Sequence, residues 1–274
     1  MNISLLNNQF LQISQVTTPL TQVNSLSKNE IEILVANIDN LSQDEKDFIK
    51  SNLVEIAKGS GSTYSVNTIA NKLYSNLFNK DGSLKSDDII SGFGAEFFLI
   101  CILKDNNFEQ CFCFRNLEEN SAKKGFDGVY QKDGEVWISE SKSSYARATH
   151  NNSHKTTIKR AYDGINNQLL GRTSNDPWEN AANHALSSKS STTLVAELEK
   201  LSEDYTDGNY KQVSDCNLII GSTVIDVDIG KTDGDIKNFY NYISNHKALN
   251  EKIIAINLSK KAIFIDIMKE IVND

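Results

Sequence analysis

The sequence predicts an α/β protein with a mixed central β-sheet flanked by helices and an N-terminal helical extension. Three observations predict this fold class. Apolar residues recur at helical spacing through much of the first hundred residues, short alternating segments follow between residues 108 and 142, and helical and buried-strand patterns then alternate towards the C-terminus. Elements in this order are typical of a sheet with helices packed on its faces.

The N-terminal part is expected to be mainly helical. Residues 1–27 are rich in Asn, Gln, Ser and Thr and predict an irregular lead-in. A first helix is predicted to begin near Lys28, because Ser27 and Glu30 have capping-box spacing. An apolar stripe supports that helix: Ile31, Leu34, Val35 and Ile38. Further helices are expected over residues 42–58, 65–77 and 86–104.

Strands and helices alternate in the remainder of the chain. Strands are predicted over residues 108–115, 126–130, 135–142, 217–227 and 252–258. Asp133-Gly134 is a strong signal for a hairpin turn. Helices are predicted over residues 153–170, 235–246 and the tail to 272, with residues 175–207 partly helical. We therefore divide the chain into a helical region, residues 1–85, and a main domain, residues 86–274.

Composition limits the classes of function. The chain has 274 residues, a net charge of −8 and a pI near 5.1, which argues against loose, charge-driven nucleic-acid binding but leaves room for a local basic groove. Its four cysteines form no CxxC pair, so buried reduced thiols are expected. A secretory signal and a membrane-spanning stretch are not recognisable in the sequence, and we expect a cytoplasmic protein.

The chemistry is concentrated in two adjacent predicted strands. Alternate side chains of a strand share a face, so Glu140 and Lys142 point the same way, about 6.6 Å apart along the strand. An antiparallel hairpin turning at Asp133-Gly134 brings Asp127 close to that end of the second strand. Two carboxylates and one ammonium are therefore expected to meet, and buried charges of this kind need a partner or a metal ion.

Such a cluster suits hydrolysis of phosphodiester bonds. Asp127 and Glu140 are the predicted ligands of Mg²⁺, with Mn²⁺ as a possible substitute, and the backbone carbonyl of Ser141 is a further candidate. Lys142 is predicted to position the attacking water and to stabilise negative charge. Glu96 is the fourth candidate and a third predicted metal ligand, because an acidic residue within an otherwise apolar helix needs a partner, which the metal ion or Lys142 would supply. Taken singly, each of these residues is more typical of surface ion pairs, and only the ordered set is specific.

These residues resemble the motif of the PD-(D/E)xK nuclease superfamily. The resemblance rests on Glu96 in a leading helix, Asp127 in Gly-Phe-Asp-Gly, and Glu140-Ser141-Lys142, and it covers about residues 86–258. The flanking glycines resemble more narrowly HamA, the nuclease subunit of the Hachiman anti-phage system, and its relative AbpA. The resemblance implies a restriction-endonuclease-like core, a HamB-like helicase partner, and a DNase restrained until infection.

Basic residues crowd the stretch around these motifs. Eight lysines and arginines lie between residues 121 and 160, against four acidic residues. DNA-backbone contacts are predicted for Lys124, Lys155, Lys159 and Arg160, with a solvated helix face as the alternative. His150 and His154 are interpreted as surface or DNA-facing residues rather than metal ligands, and Gln168 as a residue that reaches the site.

Three functions remain open from the sequence. The first is a Mg²⁺-dependent deoxyribonuclease in a defence complex. The second is a site-specific restriction endonuclease, which would share the catalytic residues but would need sequence readout. The third is a catalytically inactive nuclease fold that binds DNA or a partner.

Overall fold

The computed structural model describes residues 3–4, 13–17, 30–114, 125–146, 153–229 and 240–273. Within these residues the strands are β1 (Ile3–Ser4), β2 (Ile13–Thr17), β3 (Glu30–Ile38), β4 (Glu109–Gln110), β5 (Gly128–Lys132), β6 (Glu135–Tyr145), β7 (Asn217–Ile225) and β8 (Asn250–Leu258). The helices are α1 (Gln43–Lys58), α2 (Val66–Ser75), α3 (Asp87–Asp105), α4 (Ser153–Leu169), α5 (Pro177–Ser187), α6 (Thr192–Thr206), α7 (Tyr240–Ile243) and α8 (Ala262–Asn273), with a 3₁₀ turn at Val213–Asp215.

The strands form one mixed sheet in the order β1-β2-β3-β8-β7-β6-β5-β4. Its centre is parallel, because β3, β8, β7 and β6 all run in the same direction. Both margins are antiparallel: β2 pairs with β3 on one side, and β5 pairs with β6 on the other. The predicted α/β class with a mixed central sheet flanked by helices is thus confirmed.

Two hydrophobic clusters cover the two faces of the sheet. The first joins α1, α2, α3 and α8 to one face, and the second joins α4, α5 and α6 to the other. The strands β3, β7 and β8 contribute to both clusters, as expected for parallel strands buried on both sides. Elements from both sides of residue 85 contribute to this sheet and to the first cluster, and the division of the chain at residue 85 stays a prediction.

The helix predicted to begin near Lys28 is wrong, since residues 30–38 form the strand β3. Leu34, Ala36 and Ile38 enter one cluster, whereas Ile31, Ile33 and Val35 enter the other. A strand buried on both faces is apolar at nearly every position, so it also contains the spacing that suggests a helix. The cap proposed for Ser27 lies outside the described residues.

The other predicted elements differ from the structure mainly at their ends. The helix α1 starts after Ser42, which caps it through the backbone N–H of Glu45. The strand predicted over residues 108–115 is shortened to Glu109–Gln110, because the following backbone leaves the sheet and the N–H of Phe114 bonds to the carbonyl of Ile56 in α1. Of the helix predicted over residues 235–246, only residues from 240 onwards are described, and α7 has four residues.

Two further expectations concern the chain as a whole. All four cysteines are reduced thiols; Cys101, Cys111 and Cys216 are buried, as predicted, whereas Cys113 is half-buried. In the part of the chain that the structure describes, no helix combines the length and the apolar character needed to cross a membrane.

Candidate active site

A tight hairpin brings the predicted catalytic residues together. The strands β5 and β6 are joined by Asp133 and Gly134, whose φ angles are 53° and 81°. Positive φ at both central residues is the geometry of a type I′ turn, for which Asp-Gly is a preferred sequence. Gly128 consequently pairs with Ser139, and Asp127 lies beside the end of β6 that carries Glu140.

The carboxylate of Asp127 is held by the backbone of β6. Its Oδ2 accepts a hydrogen bond of 2.8 Å from the backbone N–H of Ser141. This contact fixes Asp127 against the Glu-Ser-Lys segment. It also gives the Ser141 N–H a partner, since β5 begins only at Gly128 and does not reach Ser141.

Glu140 and Lys142 face α4, on the side of the sheet that also holds Ile138. Glu140 is only 5% exposed; Lys142 Nζ donates to its Oε1, and Gln168 Nε2 donates to its Oε2 at 3.3 Å. Burial and the negative charge of Asp127 raise the pKa of Glu140 to about 7, although Lys142 and Gln168 act in the opposite direction. Burial is the largest cause, so the site disfavours the charged form of Glu140 unless a cation compensates it.

Lys142 is held in its charged form. Burial lowers the pKa of its ammonium, but the carboxylates of Glu140 and Asp127 outweigh this effect, and the net shift is upward. The positive charge of Arg160 on α4 lowers the pKa of Lys142 by repulsion, so Arg160 lies within electrostatic range of Lys142. An amine that remains protonated can donate to an anion but cannot serve as a general base near neutral pH.

Glu96 approaches from the other face of the sheet. Its helix α3 packs there, with Leu99 near Gly221 of β7. The first residue of α3 lies at the end of β6, where the hydroxyl of Tyr145 donates to the carbonyl of Asp87, so the helix runs antiparallel to the strand. Glu96 therefore lies near the level of Asp127, where β5 has not yet begun. Burial first, and then the charges of Glu96 and Asp127, raise the pKa of the Tyr130 hydroxyl, so both carboxylates act on one group.

A comparison with protein-family models gives a match to the HamA model over residues 13–273, nearly the whole chain. The chain belongs to the HamA family. This family membership agrees with the resemblance of the sequence motifs to an anti-phage defence protein of the Hachiman type. A search of curated proteins finds no match.

The donor set of this HamA-family chain fits a magnesium ion. Mg²⁺ is commonly held by one or two carboxylates, with water and phosphate completing its shell. Asp127 and Glu140 offer such a pair, and a cation beside them would offset the burial and the mutual repulsion that raise the pKa of Glu140. Within the described ranges no three His, Cys, Asp or Glu side chains are grouped as a ligand set, so participation of Glu96 stays a prediction.

The basic candidates on α4 differ in their surroundings. Lys155, Lys159 and Arg160 are exposed, and Lys159 forms an ion pair with Asp163 one turn away. Arg160 is the one whose charge acts on Lys142. Lys124 lies outside the described residues.

The interpretation of His154 as a surface or DNA-facing residue is wrong. This side chain is 3% exposed, and its ring nitrogens bond to Ser222 Oγ at 2.7 Å and to Asn257 Oδ1 at 3.0 Å. It thus fixes the first turn of α4 to β7 and β8. His150 lies outside the described residues.

Gln168 does reach the site, as predicted, through its bond to Glu140. Sequence reasoning missed Gly164, whose Cα faces the Glu140 carboxylate so closely that an added Cβ would lie 3.5 Å from Oε1. A glycine inside a predicted helix was the available signal, because glycine there is unfavourable and usually has a packing reason.

Proposed function

We propose that the protein is a metal-dependent nuclease that hydrolyses DNA phosphodiester bonds, as the effector subunit of a Hachiman-like anti-phage complex controlled by a helicase partner. The observation that supports the proposal is that Asp127 accepts a hydrogen bond from the Ser141 N–H, between Glu140 and Lys142, while Lys142 contacts the almost fully buried Glu140. A buried carboxylate beside a half-buried one, with a single ammonium, is costly for a fold and suits a cation that binds phosphate.

Each residue has a distinct task in this mechanism. Asp127 and Glu140 would hold Mg²⁺, or Mn²⁺ in its place, and the Ser141 carbonyl is a further candidate ligand. The bound ion would supply Lewis-acid polarisation of the phosphate and a lowered pKa for a bound water. Lys142, protonated as its raised pKa requires, donates hydrogen bonds that orient the water and stabilise negative charge on phosphate oxygens. Gln168 keeps the Glu140 carboxylate oriented.

The charge around the site supports a nucleic-acid substrate despite a net charge of −8. Lys155, Lys159 and Arg160 place three cationic groups on the exposed side of α4, the helix that packs over Glu140. Local cations near a cleft attract phosphates even on an acidic protein. We assign these residues, with Lys124, to contacts with the DNA backbone.

The direct test is plasmid degradation in Mg²⁺ or Mn²⁺. The double substitution Glu140→Ala, Lys142→Ala should lower the rate at least about 100-fold, the scale expected when charge stabilisation is removed. A matched control is Lys200→Ala, Glu203→Ala, which removes an exposed ion pair on α6 and should leave the rate unchanged. Equal rates for the wild type and the site variant would refute the mechanism.

The same assay separates the alternatives. Discrete fragments instead of a smear would favour a site-specific restriction endonuclease. Calorimetry without detectable Mg²⁺ or Mn²⁺ binding would favour a catalytically inactive fold that binds DNA or a partner. Control by a helicase predicts that cleavage changes when a HamB-like helicase is added. A cytoplasmic location belongs to the same proposal.

A further inference from the structure

A second concave feature lies at the other end of β6. It is a cavity of about 320 Å³ between the β5–β6 turn, α5, α6 and the 3₁₀ turn that leads into β7. Glu135 and Asn217 are the first residues of their strands, so the cavity opens at the amino ends of β6 and β7. Val136 and Lys142 are about 20 Å apart along the strand, which separates the cavity from the proposed catalytic residues.

The floor of this cavity is apolar. Ile138, Trp178 and Cys216 line it and are buried, and Leu201 of α6 forms a half-buried wall. The volume lies at the small end of the range for ligand pockets. It therefore suits one or two side chains of a partner better than a large cofactor.

The rim of the cavity is acidic. Glu135, Glu197 and Asp215 contribute three carboxylates, against the single ammonium of Lys211. Among the described residues, Glu197 is exposed and has no ion-pair partner, so its charge is available to a ligand.

The surrounding helices extend this negative field. Residues 175–215 contain eight Asp and Glu residues against three lysines, which accounts for most of the excess negative charge of the chain. The exposed cations of α4 lie instead on the helix that covers Glu140. The two surfaces are thus opposite in charge, and an acidic surface close to the DNA would repel phosphate.

We propose that this cavity is the docking site for an arginine-bearing segment of a protein partner. An arginine side chain matches both parts of the cavity, because its alkyl stem covers apolar surface while its guanidinium forms paired hydrogen bonds with carboxylates. A partner bound here would leave the carboxyl end of β6 open to DNA. The inference goes beyond the proposed hydrolytic function and does not depend on it.

The test is a titration of the full-length protein with a fluorescent, capped octapeptide of alternating arginine and leucine. The cavity variant is Glu197→Lys, Asp215→Asn, in which the asparagine retains an oxygen to accept the N–H of Gln212. The control variant, Asp44→Lys, Asp266→Asn, makes the same change in charge on exposed positions of α1 and α8, across the sheet. We expect the Kd to rise about tenfold or more in the cavity variant, as loss of a charged contact implies, and to change less than about twofold in the control.

Three outcomes would overturn the proposal. Equal weakening in both variants would mean that only the overall charge matters. Absence of binding by the wild type would leave no docking site. Displacement of the peptide by spermine at equal concentration would indicate a site for small polycations instead of a protein segment. The single substitution Glu197→Lys, at an exposed helix position, provides the same comparison should the double variant fail to fold, and the readout needs no nuclease activity.

Discussion

At the scale of single residues, the close approach of α4 to Glu140 depends on Gly164. No side chain separates the helix from the carboxylate, and the Cγ, Cδ and Oε1 atoms of Glu140 would all lie within 3.7 Å of an added Cβ. Contacts of this length are ordinary for a methyl group but leave no room for a larger one. Gly164 thus limits how the buried carboxylate can be covered.

This geometry predicts opposite results for two substitutions of Gly164. Gly164→Ala should keep cleavage within a few fold and stabilise the protein by about 0.5–1 kcal/mol, because alanine favours the helix. Gly164→Leu should force the Glu140 carboxylate aside, lower cleavage at least tenfold and destabilise the fold by about 1–3 kcal/mol. Plasmid cleavage and urea unfolding measure both. Equal cleavage by the two variants would mean that Gly164 does not control the position of Glu140.

The residues of the site were predictable to different degrees. Asp127, Glu140 and Lys142 could be placed together because the turn between them is local and its Asp-Gly signal fixes the register. The position of Glu96 depends on which face α3 covers, and that is decided by packing between distant segments. The burial of His154 was not predictable for the same reason, since its partners Ser222 and Asn257 are far away in sequence.

At the scale of the elements, α4 is held to the sheet by a buried polar network. His154 bonds to Ser222 on β7 and Asn257 on β8, and Thr157 also contacts Ser222. Asn257 continues the network by donating to Asn37 on β3. The network fixes the start of the helix that carries Gly164 and Gln168, so it sets the height of α4 above Glu140.

Removal of His154 should therefore be costly for stability. His154→Ala removes the contact to Asn257 Oδ1 on β8 and one of the two contacts of Ser222 Oγ on β7, and it leaves a buried cavity. We expect a loss of about 3 kcal/mol in the free energy of unfolding. Arg160→Ala, on the exposed side of the same helix, should change it by less than about 0.5 kcal/mol. Urea unfolding of the two variants provides the comparison. A loss below 1 kcal/mol for His154→Ala would show that the network does not anchor α4.

Patterns along the chain were sufficient for most elements but not for β3. The helices α1 and α2 carry capping residues and an apolar face that single out one structure. In β3 the neighbours on both sides come from opposite ends of the chain, β2 before it and β8 near the C-terminus. The spacing of apolar residues along the chain cannot show such pairing, and a continuous apolar segment fits the repeat of a helix as well as that of a strand.

At the scale of the whole molecule, a buried His–Glu pair joins the C-terminal segment to α4 and the sheet. His246 Nδ1 contacts Glu251 Oε1 at 2.7 Å, and Tyr162 of α4 stacks on the imidazole at a centroid distance of 3.8 Å. Within the described residues, Glu251 Oε2 and His246 Nε2 are buried without hydrogen-bond partners. The pair therefore incurs a desolvation cost that its single contact does not fully offset.

Glu251 should make the stability of the molecule depend on pH. Burial raises the pKa of its carboxyl above the usual value, although His246 acts in the opposite direction. The folded state holds the Glu251 proton more tightly than the unfolded state. Glu251 therefore contributes its full stability below the unfolded pKa of about 4.3, and this stability is lost as the pH rises through the folded pKa.

Glu251→Gln keeps an oxygen for His246 without a charge, so the stability advantage of this variant over the wild type should grow from pH 5 to pH 8 in urea unfolding. Glu199→Gln, at an exposed position of α6, provides the flat reference. A Glu251→Gln advantage that shrinks with rising pH would mean that His246 stabilises the ionised carboxylate more than burial destabilises it.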